Sequence, residues 1–268
     1  MTMGRLVPHR NGAVVTTTIN AGPRTKLLSA GYAGLSYAFF VGVFGYAVAF
    51  IAGVGVPRSV DAGGSHSDTA AAVLVDGLLL GLFAVQHSVM ARPAFKRRWT
   101  RIVPKHIERS TYVLAASAVL TLIFWQWRPI PGLVWRVESG PARVVLWGLF
   151  AAGWLLVLAM TFAIDHLGMF GLRQVASWLR GVAEAPSRFR TPLPYRLVRH
   201  PMMTAFFVAL LAAPTMTAGH LLFSVLSCGY IVAAVRLEER DLAAELPDYP
   251  SYAATTPRFV PRPRKGAL

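Results

Sequence analysis

The chain has 268 residues, 54% of them hydrophobic and 15% charged, with a mean hydropathy of +0.48, a balance that excludes an ordinary water-soluble globule. Its formal net charge of +15 raises the possibility of a nucleic-acid ligand, but the basic residues form no recognisable reader and are sorted by loop, so nucleic acid is set aside. The single cysteine, Cys228, makes no intramolecular disulfide and reads as packing.

In chain order, residues 1–28 read as a flexible cytoplasmic leader, because the first apolar stretch starts too late and runs too long for a secretion signal. Six apolar stretches follow, at Gly31 to Val54, Ala71 to Met90, Thr111 to Trp127, Ala142 to Phe162, Met202 to Met216 and Leu221 to Val235. The first, second and fourth reach the roughly 20 residues that a membrane span needs, and the others are short. Only Thr217, Ala218, Gly219 and His220 separate the last pair, which predicts a tight turn between antiparallel helices. The predicted fold is therefore all-α, a polytopic membrane helical bundle with six hydrophobic segments. Residues 29–163 form a four-helix core, 164–198 an interfacial connector, 199–262 a hairpin with a C-terminal cover, and 263–268 a basic tail.

Charge orients the bundle. Arg24 and Lys26 precede the first stretch, and Arg92, Lys96, Arg97, Arg98, Arg101, Lys105 and Arg109 lie between the second and third, whereas the loop after the first stretch holds only Arg58. Short-loop asymmetry of this kind predicts both termini in the cytoplasm of a cell inner membrane, with the basic residues against anionic lipid.

Polar residues among apolar ones mark candidate chemistry. Gln86 and His87 close the second stretch, either as a structural hydrogen-bonding pair or beside a small substrate, with His87 one turn beyond Phe83. Asp165 and His166 follow the fourth stretch and lead into Gly168-Met169-Phe170-Gly171, a candidate close-packed bend or substrate wall, where Arg173 has Asp165 or a ligand carboxylate as possible partners. A short helix is expected before Gly181, ahead of Pro186, Pro192 and Pro194. Arg199-His200-Pro201 opens the hairpin and Glu238-Glu239 closes it, so a hairpin returns both acids to the Arg199 end. Adjacent helical side chains diverge, so one acid is free to neutralise arginines while the other accepts hydrogen bonds from a ligand. Tyr249, Tyr252, Pro257, Arg258 and Phe259 lie in a polar, proline-rich tail that either anchors at the interface or folds over the mouth of the hairpin.

The RHP opening, apolar hairpin, paired glutamates, Tyr-x-x-Tyr and Pro-Arg-Phe-Val-Pro resemble the cofactor module of the isoprenylcysteine carboxyl methyltransferase superfamily, and the Gln86-His87 and Asp165 to Gln174 segments extend the likeness toward bacterial methanethiol S-methyltransferases. The resemblance implies S-adenosylmethionine as methyl donor, entering from the cytoplasm, and methanethiol as a small volatile acceptor, without a metal or an obligate protein partner. It assigns Arg199, His200, Glu238, Glu239, Tyr195, Tyr249, Tyr252 and Arg258 to the cofactor region. On the acceptor side it leaves His87, His166 and Asp165 as catalytic candidates, with Gln86, Met169, Phe170 and Arg173 around them. The alternatives are a larger thiol, a prenylcysteine carboxylate, or a haem-linked protein of the related NnrU type.

Overall fold

The computed structural model describes residues 22–65, 67–182 and 193–261, so most of the leader, Pro186 and Pro192 of the connector, and the basic tail lie outside the described residues. The elements in order are α1 (Pro23–Ala52), α2 (Thr69–Ala91), α3 (Pro93–Trp99), α4 (Lys105–Gln126), β1 (Leu133–Arg136), α5 (Gly140–Ile164), α6 (His166–Met169) and α7 (Leu172–Leu179). Then come α8 (Leu193–Leu197), α9 (Pro201–Leu211), β2 (Thr215–Thr217), α10 (Ala218–Glu245) and α11 (Tyr249–Thr255). Helices α1, α2, α4, α5 and α10 are each long and apolar enough to cross a membrane, and the chain is a multi-pass membrane protein. On α2 the exposed face carries Leu74, Leu78, Leu82, Val85 and Val89, a stripe suited to lipid rather than water.

One end of the bundle is sealed by aromatic packing. Phe50, Ile123, Trp127 and Phe223 are buried together there, and the Trp127 indole donates to the Val60 carbonyl at 3.0 Å. Helices α5 and α9 lie close because Gly153 has no side chain, and a Cβ at that position would sit 2.8 Å from the Ala209 nitrogen. The opposite end gathers the basic segments, from α3 through α8 to the C-terminal stretch.

The last hairpin differs from the expectation. Residues 217–220 are not a free turn, because Thr217 ends β2 and caps α10, its hydroxyl accepting from the His220 amide at 3.1 Å. The chain turns earlier, through 212–217, where β2 pairs antiparallel with β1. This two-stranded sheet is a departure from the all-α expectation. Helix α9 has only 11 residues, about 16 Å at 1.5 Å per residue, and the extended segment after it supplies the remaining reach to the sheet end.

Candidate active site

Glu239 organises the basic end. Its buried carboxylate accepts from Arg199 Nε at 2.8 Å and lies 3.1 Å from His200 Nε2 through one oxygen, while the other accepts from Arg258 Nε at 2.9 Å. Tyr249 lies close to the same carboxylate, and burial followed by the nearby Glu239 charge pushes its phenol up to about 12. The bond to Glu239 also holds the Arg258 guanidinium protonated, raising it above its ordinary value. A buried carboxylate is stable only when its oxygens are filled this way, and here three side chains from two segments of the chain fill them.

Arg199 is a strut. Its Nη1 donates to the Ala253 carbonyl at 2.6 Å and the Thr256 carbonyl at 2.5 Å, so the guanidinium links α10 to α11 and the residues after it. The Arg199 and His200 amides donate to the carbonyls of Pro257 at 2.8 Å and Arg258 at 3.1 Å, and Thr204 donates to Phe259 O at 2.8 Å. The tail therefore folds over the hairpin as a cover. His200 occupies the cap position of α9, but its side chain goes to Glu239 and makes no cap bond. Tyr252 donates to the Tyr195 carbonyl at 2.6 Å, tying α8 to the cover, and burial raises the Tyr195 phenol with help from the Glu238 charge.

Glu238 is placed differently. One residue along a helix is a rotation of about 100°, so Glu238 leaves the Glu239 cluster and joins the α10 face that carries Tyr230 and Asp241. Its side chain is exposed, with His200, Glu239, Arg92 and Asp241 in electrostatic reach, and Tyr195, Tyr249 and Tyr112 feel its charge. The Asp241 carboxylate accepts from Arg92 at 2.6 Å, which docks this face of α10 against the end of α2.

The same face of α2 carries His87. Its Nε2 lies 2.8 Å from the Tyr112 hydroxyl, its ring stacks on Phe83 at 5.1 Å, and Tyr230 stands edge-on at 6.5 Å. The Tyr112 hydroxyl is also 3.5 Å from the His87 carbonyl, so it can donate there and accept from Nε2–H. In that tautomer Nδ1 is an acceptor, and it has no partner among the described residues. Gln86 donates to the Met90 sulfur at 3.1 Å and leaves its Oε1 buried without a partner. These two neighbouring side chains in the last turns of α2 thus each carry an acceptor atom without a partner among the described residues.

The bend after α5 is rigid. Asp165 accepts from the Gly168 amide at 3.1 Å and pairs with Arg173, and the Met169 carbonyl accepts from Arg109 Nε at 2.7 Å. Gly171 has φ of 87°, and a Cβ there would meet the Ser110 nitrogen at 2.6 Å, so the bend seats directly on α4. His166 has both nitrogens engaged, Nε2 with Tyr37 and Nδ1 with Thr161, each at 2.7 Å, and it stacks on Phe162. Burial holds its imidazole below the ordinary value. Phe170 stacks on Phe40 at 4.1 Å, and with Met169 it packs against Met90 and Tyr112, which makes the bend one wall of the His87 region.

Sequence reasoning missed Tyr112, Tyr230, Arg92 and Arg109. Tyr112 and Tyr230 sit inside apolar stretches, where an aromatic residue reads as core, and the two arginines read as topology signals. Only the contact with His87, whose imidazole had been singled out, gives Tyr112 a role.

These features define a multi-pass membrane protein whose basic end holds two linked polar regions, one covered by the C-terminal segment and one closed by aromatic side chains. No family model and no solved structure match the chain significantly. It is 50% identical over 238 residues to "Methanethiol S-methyltransferase" of Mycobacterium tuberculosis, covering 87% of this chain and 96% of that protein. It is also 50% identical over 232 residues to "Methanethiol S-methyltransferase 2" of Bradyrhizobium diazoefficiens, covering 86% and 89%, and 31% identical over 176 residues to "Nurim" of Mus musculus, covering 62% and 66%. The chain belongs to the methanethiol S-methyltransferase family.

Proposed function

We propose that the protein is an S-adenosylmethionine-dependent enzyme that methylates methanethiol, giving dimethyl sulfide and S-adenosylhomocysteine. The observation that carries the reading is the position of Glu238, within electrostatic reach of the cofactor-side groups His200 and Tyr195 and of Tyr112, which is bonded to His87. The relatives named for the same reaction support the acceptor.

The residues fit the donor. S-adenosylmethionine supplies an electrophilic methyl group on a sulfonium. Glu238, exposed and not consumed by the arginine cluster, would accept from the ribose hydroxyls or the ammonium group. Arg199 and Arg258 would act through Glu239, fixing the cover and His200 rather than touching the methyl, where a second positive charge would oppose the sulfonium.

His87 would take the thiol proton at Nδ1 as the sulfur–carbon bond forms, with Tyr112 holding the ring through Nε2. The electron pair of the breaking carbon–sulfur bond stays on the donor sulfur, which becomes a neutral thioether. Phe83 and Tyr230 would enclose the small acceptor and exclude water. His166, with both nitrogens bonded, and Asp165, paired with Arg173, would hold the acceptor wall in shape.

The basic residues clustered between the second and third stretches and around α8 and α9 support an inner-membrane location with both termini and the site in the cytoplasm. On that topology, α9 with its extended continuation would complete a sixth crossing. Purified protein given methyl-labelled S-adenosylmethionine and a panel of methanethiol, longer thiols and a prenylcysteine should put the label into dimethyl sulfide. Labelling of a longer thiol or of the prenylcysteine with none in dimethyl sulfide would reject the acceptor.

A further inference from the structure

The sheet end, remote from the paired glutamates, holds a second polar cluster that methyl transfer does not use. His220, in the first turn of α10, is 2% exposed, and neither ring nitrogen has a hydrogen-bond partner among the described residues. A buried imidazole with both nitrogens unfilled is a costly arrangement unless something completes it. The ring lines a pocket of ≈ 150 Å³, together with Asp61, Arg143, Ile51, Trp147 and Phe150.

The charges select the occupant. Asp61 Oδ1 accepts from the Thr217 hydroxyl at 2.5 Å, and Oδ2 lies 3.7 Å from His220 Nδ1, close enough for an ion pair and too far for a hydrogen bond. Asp61 is thereby directed to the histidine and to Thr217. Arg143, exposed at the start of α5, has no ion pair among the described residues. The groups open to an occupant therefore include a solvent-facing guanidinium and a ring N–H, which call for an acceptor, and the α10 N-terminus adds to the attraction for negative charge. Ile51, Trp147 and Phe150 give the rest of the pocket an apolar wall. The volume equals about five waters at roughly 30 Å³ each, which admits a molecule the size of acetate or propionate.

We propose that this pocket binds a small carboxylate, its oxygens taken by Arg143 and His220 and its short apolar tail resting on Trp147 and Phe150. Because the occupant would join α1, α5, α10 and the connection before β2, binding should stabilise the fold.

The test uses the full chain in nanodiscs at fixed pH, titrated with acetate or propionate against sodium chloride of equal ionic strength. Tm and the nitrogen-15 spectrum of the histidine rings are followed. Saturable binding is expected, with Tm rising by about 2 °C or more at saturation and a perturbed His220 resonance. Arg143→Gln should weaken the affinity about 10-fold or more and leave methanethiol methylation unchanged. His220→Gln should do the same, and if it fails to fold, the exposed Arg143 position carries the test alone. A linear response shared with chloride would mean that the pocket holds water only. Saturable binding that both variants retain at full affinity would place the carboxylate elsewhere; either result overturns the proposal.

Discussion

Replacing Glu239 by glutamine tests the division of work between the two glutamates. The substitution keeps the shape and one acceptor oxygen but removes the negative charge that Arg199, His200 and Arg258 share. Breaking a buried ion pair from one side costs about 3–5 kcal/mol because a charge is left uncompensated. Arg199 carries most of that penalty, its side chain being 11% exposed, while the 38% exposure of Arg258 lets water take over part of its share. The amide oxygen of glutamine recovers a further part, which leaves about 3 kcal/mol. The loss falls first on the cover, since the bonds from the Arg199 and His200 amides to Pro257 and Arg258 depend on that anchor. Hydrogen exchange at those two amides should accelerate about 100-fold, tenfold for each 1.4 kcal/mol, while amides in the middle of α4 keep their protection. Wild-type exchange at Arg199 and His200 in a folded Glu239→Gln variant would refute the strut role.

Three further outcomes follow from individual contacts. Tyr112→Phe removes the 2.8 Å bond to His87 Nε2, so kcat should fall by about 10²-fold in steady-state assays, with the KM for the methyl donor unchanged. Gly171→Ala forces a Cβ against Ser110 at a φ of 87°, which should cost about 1–3 kcal/mol and appear as a lower Tm. Because burial holds the His166 imidazole below its ordinary value, the folded state favours the neutral ring. Its contribution is complete above the unfolded value of about 6.5 and is lost as pH falls below it toward the folded value, so Tm should drop over that acid range. That part of the drop should disappear in His166→Gln.

Much of the fold was legible in the sequence because membrane spans announce themselves by length and apolar content, and α1, α2, α4, α5 and α10 coincide with five of the six stretches. The sheet was not legible. Leu133–Arg136 and Thr215–Thr217 are too short for a strand period, and their pairing is set by the ends of α4 and α9, which no local signal records. RHP and the adjacent acids were expected to meet at one end of the hairpin, as Arg199, His200 and Glu239 do, and the bend after Asp165 was readable from Gly168 and Gly171. The different surroundings of Glu238 and Glu239 were visible only as a rotation along the helix. That Arg199 commits its Nε and Nη1 to Glu239 and the cover depends on how residues 253–258 fold back, and their composition allowed an interfacial anchor equally well. Tyr112 stayed hidden because its partner, His87, lies 25 positions away in the chain.

The most direct measurement of the central claim is the affinity of S-adenosylhomocysteine for wild type and Glu238→Gln, titrated calorimetrically in nanodiscs with Tm recorded in parallel. Loss of hydrogen bonds to a charged acceptor predicts affinity weakened by about 10- to 100-fold, with Tm within about 2 °C of wild type, since Glu238 stands apart from the arginine cluster. Undiminished affinity in a folded Glu238→Gln variant would contradict the assignment of this glutamate to the cofactor.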